Sequence, residues 1–329
     1  MSPDQKNVRL GFIGVGHVAR SVHMAHLSGW DDVELVGFYD PDQEAARKTA
    51  AEHGGTAYEQ PQRMLDEEQL DAVYVCVPPF AHGEHEMAVI ERKLGLFVEK
   101  PIALTVERSA EIKAAIEESG VISAVGYQWR GMSTTKHARE FINGKPVSAA
   151  YGSWIEGMPE VPWWRHQDES GGQMHEQATH IVDTARYLIG GKVVGVYAQG
   201  AKGIWNRKRP DHDIHDNAIA LLTFDHGCIC TVGTGHTSRQ GYRLGIDFIL
   251  EDIAIQLTLR DLHVTDPQGG QIIKLANNPY EAEDAAFLAA LRTSDPEAVL
   301  CSYADAFETN RITVAANESM QTGEVVQLG

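Results

Sequence analysis

The stretch VRLGFIGVGHVA, Val8 to Ala19, is the tightest constraint on what this 329-residue chain can fold into. An apolar, strand-like run ends in Gly14-x-Gly16-x-x-Ala19, and the residues after it suit a helix. Each small residue at that spacing has a physical task. Gly14 permits a tight turn, Gly16 lets backbone N–H groups approach a pyrophosphate, and Ala19 lets a helix lie close against the sheet. Asp40 ends the next apolar run, VELVGFYD, where a carboxylate accepts hydrogen bonds from the adenosine ribose and repels a 2′-phosphate. The motif in this context predicts NAD as cofactor, with NADP disfavoured. The plainer alternative is a glycine turn in a generic α/β protein, with Asp40 as a helix cap before Pro41.

The surrounding pattern supports a doubly wound parallel sheet. Short apolar segments at residues 8–13, 33–39, 72–77, 96–98 and 121–125 alternate with helix-compatible segments such as 41–53 and 106–119, as βαβ units require. Beyond residue 125 the strand-like runs lengthen, at 147–155, 193–200, 217–224, 228–235, 242–250 and 253–259, and predict a large, mainly antiparallel open sheet. In the last of these, Ile253, Ile255, Leu257 and Leu259 alternate with smaller or polar residues, so one face needs cover. Over 217–224 both alternating sets are apolar, which calls for cover on both faces, by helices on one and a second subunit on the other. Two helices, 280–292 and 303–322, close the chain, the second capped by Gly323. The expected fold is α/β, with a Rossmann NAD-binding domain at 1–125 and a substrate-binding and oligomerisation α/β domain at 126–329.

Charge narrows the partners. With 46 acidic and 28 basic residues the net charge is −18, a field that repels nucleic acid and anionic membrane surfaces. The opening MSPDQKNVRLGF lacks the apolar core of a signal peptide, and no run of about 18 apolar residues exists to span a bilayer. A cytoplasmic protein with a small neutral or zwitterionic substrate is expected. The four cysteines form no C-x-x-C pair and read as reduced core residues. Histidines pair as H-x-x-H at His23/His26, His82/His85 and His212/His215, but without cysteine or a third ligand these pairs predict no metal site.

Two segments carry chemistry. In FVEKP, Glu99-Lys100-Pro101, the lysine stands at the carboxyl end of a strand, where ligands bind in such sheets. Pro101 keeps Lys100 out of helical geometry and permits a cis bond. On these residues alone, a solvated lysine paired with Glu99 remains the simpler reading. The second segment is MHEQATHIVD, Met174 to Asp183. A zinc-protease helix reads H-E-x-x-H; here the spacing is one residue longer. On an unbroken helix His175 and His180 would point about 140° apart, and Glu176 and His180 about 40° apart. The pattern therefore pairs the acid with the second imidazole. Trp154, PWWR with Trp164 and Arg165, and the YQWR run beginning at Tyr127 supply aromatic faces and donors of the kind that bind sugar rings.

Taken in order, GFIGVGHVA, VCVPPFAH, EKP, GYQWR, SGGQMHEQATHIVD and the terminal NESMQTGEVVQL resemble the Gfo/Idh/MocA family of oxidoreductases, whose name comes from glucose-fructose oxidoreductase and inositol dehydrogenase. The resemblance implies an NAD(P)-dependent enzyme acting on CH–OH groups of a sugar, inositol or related polyol. It also implies a homodimer or homotetramer built through the second sheet. It places Gly14, Gly16, His17, Val18, Asp40, Val77, Pro78, His82, Glu99, Lys100 and Gln128 at the cofactor. Lys100, His180 and Glu176 become the catalytic set, with Tyr127, Trp164, Arg165, Glu176 and His180 at the substrate. The family's D-x-G-x-H falls on Glu176, Ala178 and His180, so two positions depart from the pattern. His180 is implied as the proton acceptor and Lys100 as the cation that stabilises an alkoxide. A non-catalytic NAD-binding regulator and an NAD-dependent glycosidase are the alternatives within the same family.

Overall fold

A computed structural model describes residues 7–329, which form two compact units. The first comprises the chain up to Ala103, Glu107–Gln128 and Tyr280–Phe307, and the second Leu104–Val106, Trp129–Pro279 and Glu308–Gly329. The expected single boundary after residue 125 is thus too simple. Residues 280–307 return to the first unit because Phe287 and Leu288 are buried in its core, a destination that helical periodicity does not encode.

The first unit is built on six parallel strands: β1 (Val8–Ile13), β2 (Val33–Tyr39), β3 (Thr56–Tyr58), β4 (Ala72–Val75), β5 (Gly95–Val98) and β6 (Ser123–Val125). Their order is β3-β2-β1-β4-β5-β6, so the chain winds outward from β1 and then crosses back to β4. A crevice forms where the winding reverses, at the carboxyl ends of β1 and β4. The strands are buried on both faces, which is why they read as apolar runs. On one face Phe12 stacks on Tyr74 and Tyr74 on Phe97, with centroids 4.9 and 4.5 Å apart, and Phe287 meets both edge-on. The helix Gln43–His53 starts at Asp42, whose side chain accepts from the N–H groups of Glu44 and Ala45.

The second unit carries nine strands: β7 (Ala149–Ile155), β8 (Val193–Ala201), β9 (Asn217–Phe224), β10 (Ile229–Gly235), β11 (Arg243–Ile249), β12 (Ala254–Thr258), β13 (Asp261–Asp266), β14 (Gly269–Lys274) and β15 (Val326–Gln327). Their order is β14-β13-β12-β11-β7-β10-β9-β8-β15. β7 and β10 pair in parallel and the other pairs are antiparallel. β3, β13, β14 and β15 were not expected. They are short or lie toward the sheet edges, and β14 exposes nearly every residue, so they leave little hydrophobic pattern to read.

Helices cover one face of this sheet. Ile181, Val182, Ala185 and Leu188 of the helix Thr179–Ile189 enter its core. The helix comes so close to β7 that a Cβ on Gly152 would collide with the Ile181 side chain. The other face is open within a single chain: Tyr151, Tyr197, Leu221, Ile229 and Ile249 are exposed, and Ile219 is 64 % exposed. The final helix ends at Thr322, with Gly323 at φ +76° as expected. Among the described residues, no helix is long and apolar enough to cross a membrane.

One buried ion pair anchors the helix Thr179–Ile189. The Arg130 guanidinium grips Asp183 with two hydrogen bonds, Nε to Oδ2 at 2.8 Å and a terminal nitrogen to Oδ1 at 2.6 Å. Thr309 donates to the same carboxylate at 3.1 Å, and the guanidinium lies 4.8 Å from the Tyr187 ring centroid. Removing one partner of such a pair strands a buried charge and costs about 3–5 kcal/mol. Asp183→Ala should therefore lower the thermal midpoint by roughly 10 °C. Replacing both partners with apolar residues, Arg130→Met with Asp183→Leu, should recover most of that loss. A double variant no more stable than the single one, measured by calorimetry, would contradict this account of the pair.

Candidate active site

Each unit carries part of the expected site. In the first, the turn after β1 is pinned on both sides: Gly14 N–H donates to Tyr39 O, and Cys76 N–H donates to Ile13 O, both at 2.8 Å. Gly14 has φ +88°, and a Cβ there would collide with the Cys76 carbonyl, so backbone conformation and crowding both demand glycine. A Cβ on Gly16 would meet nothing within 4 Å, and Gly16, His17 and Val18 are exposed. Ala19 is fully buried, as close helix packing needs. The following turns are π-helical over Ala19–Met24 before α-helix resumes at Ala25–Leu27, a local widening common at functional sites.

Asp40 is not the helix cap; Asp42 is. The Asp40 carboxylate accepts from Val15 N–H and from Asp42 N–H, both at 2.9 Å. It ties the glycine turn to the end of β2, and each oxygen keeps a lone pair for a ribose hydroxyl. Beyond β4, Val77 and Pro78 are half-buried and lead to the buried His82. His82 Nδ1 lies 2.5 Å from Glu86 Oε1, and Glu86 Oε2 accepts from Gly83 N–H at 2.6 Å. Burial opposes ionisation of Glu86, but His82 and the Gly83 N–H outweigh it and hold the acid below its ordinary pKa. Since Glu86 can only accept, His82 donates from Nδ1, and its buried Nε2 has no protein partner.

Glu99, at the end of β5, turns inward. Its carboxylate contacts His23 Nε2 at 3.0 Å and accepts from the backbone N–H of Lys100 at 3.1 Å. Lys100 follows, half-buried, and the Lys100–Pro101 bond is cis. His23 Nδ1 in turn meets Asp284 at 2.9 Å, and Asp284 also engages His26 and the Tyr74 hydroxyl. Burial alone would lower the His23 pKa, but Asp284 and Glu99 outweigh it and raise it well above normal. Glu283, buried nearby, is pushed strongly up by burial and by Glu99. Gln128 donates to the Tyr280 hydroxyl at 3.1 Å. Tyr127, expected at the substrate, is a core residue of this unit instead, 1 % exposed. The open approach at Gly16, the Asp40 carboxylate and the unmatched Nε2 of His82 fit a dinucleotide.

In the second unit the segment Met174 to Asp183 is not one helix. A short helix, Gln173–Glu176, stops, and a new one begins at Thr179. Ala178 N–H reaches back to Gln173 O and His180 N–H to Gln177 O. The angles expected from an unbroken helix therefore do not apply. His175 still diverges from His180: it is buried, with Nδ1 2.9 Å from the Thr313 hydroxyl. Glu176 accepts from the Trp164 indole N–H at 2.8 Å, with both side chains buried. His180 is 4 % exposed, and its ring stacks on Trp154 with centroids 5.2 Å apart and planes at 25°. Trp154 is held by Glu156 at 2.6 Å. Arg165 forms a 2.7 Å ion pair with Asp211.

Several supporting residues escaped the sequence reading. Arg130, read in YQWR as a donor of the kind that binds sugar rings, is instead committed to Asp183; Asp183 was given no role, although a charge among IVDTARYLI was a signal, since Ile181, Val182 and Ala185 mark a buried face. The His23–Asp284 contact joins residues 261 positions apart, and no local pattern announces it.

Comparisons with known proteins bear on the family and the fold. The model "Oxidoreductase family, NAD-binding Rossmann fold" matches residues 8–127, and "GFO/IDH/MocA C-terminal domain" matches residues 144–256. The chain is 28 % identical over 267 residues to scyllo-inositol 2-dehydrogenase (NAD(+)) of Bacillus subtilis (strain 168), covering 79 % of this chain and 77 % of that one. It is 26 % identical over 342 residues to myo-inositol 2-dehydrogenase of Thermotoga maritima, covering 98 % of each. Levoglucosan dehydrogenase, solved with NADH and levoglucosan, shares the fold at a TM-score of 0.86 and 20 % identity, over 98 % of this chain and 99 % of that one. With both domain models matched in order along one chain, the protein belongs to the Gfo/Idh/MocA family of oxidoreductases.

Proposed function

We propose that the protein is an NAD-dependent dehydrogenase that oxidises a secondary hydroxyl of a sugar, inositol or related polyol, and runs the reverse reduction with NADH. The observation that carries this reading is His180: a buried imidazole faced by Trp154, four residues after a carboxylate that Trp164 holds in place. A regulator that only senses NAD has no need of a proton acceptor in such a setting. A glycosidase using NAD transiently would yield no net NADH, whereas this reading requires it.

The roles follow from the side chains. The turn at Gly14 and Gly16, with His17 and Val18, holds the pyrophosphate, and Asp40 holds the adenosine ribose. Val77, Pro78, His82, Glu99 and Gln128 border the rest of the cofactor, His82 offering Nε2 as an acceptor. Bound NAD supplies the hydride acceptor. His180 takes the proton from the substrate hydroxyl. The Lys100 ammonium stabilises negative charge on that oxygen as the proton leaves. Glu176, oriented by the Trp164 indole behind it, accepts from a second substrate hydroxyl, and Arg165 borders the sugar. A glutamate in place of the family aspartate extends the carboxylate by one methylene, so it bears on which polyol fits. On this reading the enzyme works in the cytoplasm, and a second copy of the chain covers the open sheet face around Ile219.

With NAD and a panel of inositols, aldoses and polyols, NADH absorbance should rise for at least one member. Tight NAD binding without turnover on any of them would instead favour the regulator. Lys100→Ala and His180→Ala should each lower kcat by about 10²–10⁴-fold while NAD affinity, read by fluorescence titration, changes little; unchanged turnover in either would remove its role. Asp40→Asn, which keeps an acceptor but drops the charge, should raise the NADP-to-NAD ratio of kcat/KM about tenfold, and an unchanged ratio would contradict the assigned NAD preference. Finally, Ile219→Lys with Leu221→Glu should convert a multiple of the 36.2 kDa chain mass into a single one by light scattering, and an unaltered mass would exclude this face as the contact.

A further inference from the structure

The H-x-x-H spacing of the sequence joins His212 to His215, but the fold joins His212 to a different partner. His212 Nε2 and His236 Nε2 face each other at 2.9 Å, and Asp216 Oδ1 lies 3.8 Å from His236 Nε2. All three side chains are at least 98 % buried, and they lie within one unit, outside the residues assigned to the reaction. The only other such trio among the described residues, His23, Glu99 and Glu283, belongs to the network already described. We propose that His212, Asp216 and His236 form a binding site for one divalent transition-metal ion of the zinc type.

A chain of hydrogen bonds fixes which nitrogen of His236 is free to ligate. The Glu156 carboxylate can only accept, so Gln177 presents its N–H to it at 3.0 Å. Gln177 then offers its carbonyl to Gln173 Nε2 at 3.1 Å, which leaves the Gln173 carbonyl facing His236 Nδ1 at 3.2 Å. His236 therefore carries its proton on Nδ1 and its lone pair on Nε2, the arrangement that a carbonyl partner imposes on metal-binding imidazoles.

Without a cation the two rings share one hydrogen bond. His212 donates from Nε2 to the His236 lone pair at 2.9 Å, and the Asp216 carboxylate oxygen lies 3.8 Å from that same nitrogen. Two imidazole ligands at about 2.1 Å from a metal sit about 3.0 Å apart at a right angle and about 3.4 Å apart in a tetrahedron, so the observed 2.9 Å needs a shift of only a few tenths of an ångström. Asp216 brings the negative charge. Its carboxylate is already oriented by the N–H groups of Ile204 and Trp205 at 2.7 and 3.1 Å.

The ion would act as a cross-link. Between Ala201 and Asn217 the chain has little regular structure, a single short helix at Trp205–Lys208, and metal bound to His212 and Asp216 would tie this segment to the end of β10. Trp164 packs edge-on against His236, with centroids 5.0 Å apart, and Trp164 holds Glu176. The metal would therefore fix the wall behind the Trp164–Glu176 pair without touching substrate.

The test is metal content of the full chain, which is independent of any substrate. Chelator-stripped protein, incubated with Zn2+ and desalted, should retain one equivalent by mass spectrometry, and Co2+ should give the visible absorption of a low-coordinate site. The His215→Gln control should bind as the wild type does. His212→Gln and His236→Gln, checked for folding by circular dichroism, should bind about 100-fold more weakly. If either fails to fold, the Co2+ spectrum and stoichiometry of the wild type decide. No retained zinc and no Co2+ band in the wild type, or equal binding by a folded His212→Gln, would overturn the site and leave a plain imidazole–imidazole hydrogen bond.

Discussion

The ion pair between Arg130 and Asp183 decides where the second unit can place its chemistry. It lies among apolar side chains at the start of the helix that carries His180, and a charge there has no water to fall back on. Desolvating both partners costs about as much as their attraction returns, so the pair contributes geometry more than stability. A bidentate guanidinium accepts one orientation of the carboxylate, and Thr309 and Tyr187 close the remaining directions. His180, three residues earlier, is thereby held in rotation about the helix axis, and Trp154 fixes its ring from the other side.

The same principle explains the broken helix before it. An unbroken helix over Met174–Asp183 would align Glu176 with His180. The chain instead breaks at Gln177 and Ala178, which turns Glu176 to the Trp164 indole and frees Gln177 to bridge Glu156 and Gln173. In this family position an aspartate and a glycine are usual. The longer glutamate reaches an indole N–H, and Ala178 sits at φ −67°, ψ −9°, a conformation that does not need glycine. The two departures from the motif are thus sterically compatible with the turn that is there.

What the sequence disclosed follows from the range of each interaction. The glycine turn, Asp40, β1, β2, β9 and the last helix were legible because their causes are local: φ sign at Gly14 and Gly323, and the runs of apolar residues in the buried parallel strands and in Asn217–Phe224. Tyr127 was misplaced because an aromatic residue in a motif looks the same whether it faces a ligand or a core. The His23–Glu99–Asp284 network and the return of residues 280–307 to the first unit depend on contacts between distant segments, and single-segment patterns do not carry them. His212 illustrates both cases, since its spacing to His215 was visible and its contact with His236 was not.

The buried titratable groups of the first unit are balanced against each other in pH. His23 has its pKa raised by Asp284 and Glu99 against the opposing effect of burial, so its contribution to stability is complete below the unfolded histidine value of about 6.5. That contribution is lost as pH climbs through the higher folded value. Glu86 is lowered by His82 and Gly83, again against burial, so its contribution is present above the unfolded value of about 4.3 and is lost as pH falls through the folded one. The two losses lie on opposite sides of the interval between those unfolded values, and within it both contributions stand. Glu99 and the turn to Lys100 are tied to the first group and His82 to the second, so these two parts of the first unit yield from different ends outside that interval.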